Sequence, residues 1–176
     1  MLMKNKNTRL LTLSAMLAAG GVALIYLTAV MPTLQFALVA VAGILPAIPL
    51  VLGGMKWGLL TYAATGLLAL ILGIDKEAAI LYLLLFGHWP MVKSLIERKI
   101  GSRVLEWAVK LLVCNLLFLL LYLMIKLFGI DIGELGMPVW LFVLAGNVSF
   151  VLYDLCFTML ISSFGARLRK LMNLKK

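Results

Sequence analysis

A carboxylate inside a long apolar stretch demands a partner, and Asp154 is such a residue. In hydrocarbon an unpartnered carboxylate costs roughly 2.5–3.5 kcal/mol on insertion scales. Asn147 lies seven residues before it, and Thr158 and Ser162 lie four and eight after. At about 3.6 residues per turn these side chains share one helix face, with Ser162 towards its edge. Asn115 stands at comparable depth in the preceding apolar stretch, which predicts a hydrogen bond from it to Asp154. Such a stripe contacts a substrate, responds to protons, or clasps two helices together at about 0.6 kcal/mol per bond. No second charge falls on the stripe, so the clasp has the better case.

His88 is the single histidine of the chain. With Trp89 beside it, it offers a surface for stacking on a ligand. A His-Trp-Pro run at a helix end also suits the headgroup layer, where aromatic rings collect. Gln35 follows the first turn, and Thr61, Tyr62 and Thr65 offer further polar atoms to a cavity. A helical threonine, however, usually bonds the carbonyl of its own preceding turn. A metal site wants three or four converging ligands, and one histidine with scattered acids supplies no such set. Cys114 and Cys156 sit in apolar runs without ligand spacing and read as small buried hydrophobes. There is no Gly-x-Ser-x-Gly elbow, no P-loop, and no His-Glu-x-x-His with a single histidine. The chain is not expected to be an enzyme or to carry a cofactor.

The elements that must hold these residues follow from composition. Apolar residues make up 64% of the 176 and charged residues 13%, against about 45–50% and about 25% in soluble domains. So small a globule cannot hide that surplus in a core, so it must face lipid. A span needs about 20 apolar residues. The apolar runs predict an all-α, single-domain bundle of six spans at about 10–30, 34–52, 59–74, 78–92, 105–128 and 138–164. Pro46 and Pro49 predict a kink in the second. The fourth is short, and residues 93–103 beyond it read as a charged segment along the membrane surface. The first run is too long for a signal-peptide core of about 7–15 residues and reads as an uncleaved helix.

This arrangement places every basic residue except Lys76 and Lys126 on the side of the N-terminus. Asp75, Glu77, Asp131 and Glu134 fall on the other. The positive-inside rule then puts both termini in the cytoplasm of a cell-membrane protein. The formal charge of +9 belongs to headgroup anchoring, not to nucleic acid, because no polar basic face carries it. No internal repeat stands out.

Ala15, Ala19 and Ala23 recur every fourth residue in the first span. Small residues at that spacing admit a second helix at close range, either a sibling or a partner. Together with Pro32-Thr33-Leu34-Gln35, Ile44-Leu45-Pro46-Ala47 and Gly53-Gly54-Met55-Lys56-Trp57-Gly58, this stretch resembles the substrate-binding S components of energy-coupling factor vitamin transporters. The resemblance covers about the first 75 residues, beyond which only the helix count is shared. It implies a small-molecule ligand captured from outside, and docking of the Ala15–Ala19–Ala23 face to a transmembrane coupling subunit driven by two ATPases. Gln35, His88, Trp89, Asn115, Asn147 and Asp154 are the candidate ligand contacts. The other reading is a membrane scaffold or accessory subunit whose basic loops bind lipid or a cytosolic partner.

Overall fold

The computed structural model describes residues 2–73, 75–127 and 139–171. Asp131, Glu134, Lys175 and Lys176 lie outside them. The described residues are helical and contain no strand: α1 Leu2–Val30, a short turn Pro32–Leu34, α2 Gln35–Ile44, α3 Ala47–Gly53, α4 Met55–Leu72, α5 Lys76–Leu81, a wide turn Tyr82–Phe86, α6 Trp89–Lys99, α7 Arg103–Leu127 and α8 Val139–Leu171. Among the described residues six stretches are long and apolar enough to cross a membrane: Asn7–Val30, Pro32–Gly53, Met55–Leu72, Lys76–Lys99, Arg103–Leu123 and Val143–Ser163. The chain forms two compact units, one of Met1–Ser94 with Thr158–Lys176 and one of Leu95–Phe157.

The first unit is organised around α1. Its buried residues are Leu10, Ser14, Ala18, Gly21, Ile25 and Thr28, three or four apart, as one face of a helix must be. That face meets α4 and α2. On α4, Thr61, Thr65 and Ala69 are buried at the same spacing. Thr65 gives its hydroxyl proton to the Thr61 carbonyl at 2.9 Å and Thr61 to Trp57 at 3.0 Å. With their hydroxyls satisfied locally, these threonines act as small side chains, and Gly21 lies directly against the Thr65 methyl. A core of Ile25, Val39, Ala42, Ala69, Ala78, Ala79 and Tyr82 follows from that approach.

Pro46 cannot donate to the ladder, so α2 ends at Ile44 and α3 restarts at Ala47. The turn into α4 uses Gly54 at φ +94°, a conformation that side chains with a Cβ rarely adopt. The fourth span is capped by Asp75, whose carboxylate accepts from the Ala78 amide at 2.9 Å and from the Thr28 hydroxyl at 2.5 Å. Helix continues past Val92 to Lys99, so the charged segment read as lying along the surface is in part the end of this span.

In the second unit α7 and α8 run antiparallel, since moving from Lys110 to Asn115 moves the contact from Asp154 to Asn147. Gly146 lets the Phe118 ring pack flush on α8.

Candidate functional site

Lys110 sits seven residues into α7 with its side chain 2% exposed. Its ammonium group has three protons and meets three carboxylates: Glu106 at 2.6 Å, Glu97 at 2.9 Å and Asp154 at 3.2 Å. Glu106 is one turn earlier on the same helix, the favoured order for such a pair. Glu97 comes from α6 and Asp154 from α8. The ammonium also stands 5.3 Å from the Trp107 ring centre, within cation–π range. Lys110 and Asp154, 2% and 1% exposed, are tolerable there only when paired and hydrogen-bonded, and every ammonium proton is used; Glu97, 41% exposed, keeps contact with solvent.

Asp154 therefore pairs with a lysine, not with Asn115 as its neighbourhood in sequence suggested. The second charge is on α7, where the single-helix stripe could not reveal it. Lys110 in turn is not a headgroup anchor, and Lys93, also counted as one, is buried as well. One signal in the sequence pointed to the cluster. Glu106 and Lys110 are spaced one turn apart at the start of a span, and the only carboxylate deep in the neighbouring span is Asp154.

Asn115 and Asn147 pair with each other. Each amide nitrogen donates to the other's side-chain oxygen at 3.0 Å and to its own preceding turn at 2.8 Å, Asn115 to Leu111 and Asn147 to Val143. All four N–H groups are thereby used. Cys114 is buried, whereas Cys156 is exposed, contrary to its sequence reading; both are free thiols.

The His88 region belongs to the first unit. Here the Gly87 amide donates to Tyr82 at 2.7 Å, five residues back instead of four. Widening the turn in this way releases carbonyls from the helix ladder. The Leu83 carbonyl accepts the Tyr62 hydroxyl at 3.0 Å and faces His88 Nδ1 at 3.2 Å. A carbonyl only accepts, so Nδ1 carries the proton. The His88 ring stands edge-on to Tyr62 at 6.4 Å. Trp89 is fully buried and so packs inside the protein instead of among headgroups. Gln35 opens α2, half-buried.

A shallow cleft of about 10 Å³, room for roughly one water molecule, is lined by Val22, Ile25, Tyr26, Ala69, Leu72 and Asp75. Ligand pockets typically run about 300–1,000 Å³, and none of the six candidate ligand contacts lines this one. Ala15, Ala19 and Ala23 are all exposed, on the face of α1 opposite its packed side.

No protein-family model, curated protein or solved structure matches the chain. The fold itself defines the class. Six apolar helices of spanning length, with large exposed side chains such as Ile71, Leu112, Leu116 and Met159 along them, make this a multi-pass membrane protein.

Proposed function

We propose that the chain is a small-molecule uptake subunit of the S-component type, oriented with both termini in the cytoplasm and working with a transmembrane coupling subunit and ATPases. The observation that carries this reading is the division of α1 into two small-residue faces. Ser14, Ala18 and Gly21 are buried, the last two meeting Thr65 of α4, while Ala15, Ala19 and Ala23 remain exposed. A second stripe of small residues, left exposed among the described residues, suits close approach by a partner helix. The cleft is too small for a vitamin-sized ligand, so on this reading the ligand binds a more open arrangement of the helices and shifts the population towards it.

Purification in mild detergent, followed by mass spectrometry of co-purifying proteins and small molecules, tests the proposal. ATPase and coupling subunits should accompany the wild-type chain, and Ala15→Leu with Ala19→Leu should release them while the protein stays folded. A chain that purifies alone, or a variant that keeps its partners and its uptake, would rule the reading out. Orientation has its own test. A cysteine at Lys99 should be labelled from the cytoplasm and one at Lys76 from outside; the reverse pattern inverts the topology.

A further inference from the structure

The corner between α6 and α7 carries Arg98, Lys99 and Arg103 within six residues, all exposed. Two acids flank them, Glu97 immediately before and Glu106 three residues after, and an ordinary surface would pair these charges along the chain. Here both carboxylates turn onto Lys110. Among the described residues Arg98, Lys99 and Arg103 make no ion pair or hydrogen bond. Lys110 thus engages both of the corner's carboxylates, Glu97 still 41% exposed, and leaves the three cations without a carboxylate of their own.

Three further features give this patch a shape. Leu95 lies one turn before Arg98 and Lys99 and is exposed with them. Val104 and Leu105, following Arg103, are 83% and 56% exposed. Gly101 stands in open space, with nothing within 4 Å of where a Cβ would be, beside the N-terminus of α7. That 25-residue helix starts at Arg103, so its first amides and the positive end of its dipole also face the corner. Cations and free amides bordered by exposed aliphatic side chains match a phosphodiester headgroup with acyl chains attached.

We propose that the α6–α7 corner is a binding site for an anionic phospholipid, its phosphate held by Arg98, Lys99 and Arg103 and its chains lying on Leu95, Val104 and Leu105. A free acidic protein would find the cations but would leave the three aliphatic side chains without apolar cover. The inference needs only that the chain spans a membrane and is independent of the transport reading.

The test uses the full chain in neutral detergent, with phosphatidylglycerol or phosphatidylcholine added and bound lipid counted by native mass spectrometry. The wild type should prefer phosphatidylglycerol, and rising salt should erode the preference. Each cation near an anionic surface is worth about a fivefold change in binding, so Arg98→Gln, Lys99→Gln and Arg103→Gln together should weaken phosphatidylglycerol binding roughly a hundredfold. Neutralising Lys4, Lys6 and Arg9 to Gln should leave the preference in place. The proposal fails if the corner variant retains its preference, or if the N-terminal variant loses as much. It fails too if soluble polyglutamate displaces phosphatidylglycerol from the wild type, which would assign the corner to an acidic cytosolic protein. All three corner residues are exposed, and an unchanged melting curve confirms that the variant is folded.

Discussion

Lys110 gives each of its three protons to a carboxylate, and the consequences of removing any member differ in size. Lys110→Met leaves three carboxylates crowded without their cation. Breaking a buried pair in this way costs about 3–5 kcal/mol. Asp154→Asn keeps an oxygen able to accept from Lys110 and leaves the two glutamates in place, so its cost should be well below that. Unfolding in mixed micelles of increasing denaturing detergent measures both, and equal losses would show that the cluster does not act as described. The Asn115–Asn147 pair is a gentler bond. A double-mutant cycle to Ala should return a coupling near 0.6 kcal/mol, and no more than about 1.7. Zero coupling would mean that the reciprocal amide bonds do not form in the membrane. Neither residue was legible as a member of its pair from sequence. Seven-residue spacing shows which side chains share a helix face, and says nothing about which face of the next helix they meet.

At the scale of elements, the second and fourth spans are both interrupted, for different reasons. The break at Pro46 is written in the sequence, because a missing amide is a property of the residue itself. The wide turn at Tyr82–Phe86 is not, since Tyr-Leu-Leu-Leu-Phe would serve an ordinary helix equally well. It is held by tertiary contacts: Tyr62 and His88 satisfy the Leu83 carbonyl, and Gly43 of α2 lies against the Phe86 backbone. A Cβ at Gly43 would come within 2.6 Å of Phe86 Cβ and 2.8 Å of its carbonyl oxygen. Gly43→Ala should therefore destabilise by about 1–3 kcal/mol, the usual cost of overpacking. Gly101→Ala meets nothing and should be nearly silent in the same unfolding assay. Tyr62→Phe removes one donor from the Leu83 carbonyl and should cost about 1 kcal/mol. Its amide hydrogen exchange should rise in the Tyr82–Phe86 turn before it rises elsewhere.

The whole molecule is an apolar solid with its charges gathered at a few places. Side chains such as Ile71, Leu116, Trp140 and Met159 are largely exposed along the spans, a surface that only acyl chains can cover. Diluting detergent below its micellar concentration should precipitate the protein, while transfer into lipid discs should keep it monodisperse. A stable detergent-free solution would contradict the membrane assignment. The amino-acid sequence by itself determined the helical class, the number of spans and the proline break, because hydrocarbon thickness and a missing amide act on each segment alone. Only the tertiary structure decided which charges are anchors and which are partners. Lys110 and Arg103 look alike on paper, yet the first lies within 3.2 Å of three carboxylates contributed by three helices and the second stands free. The physical reason is that an ion pair depends on the distance between groups far apart in the chain, and that distance exists only once the helices have packed.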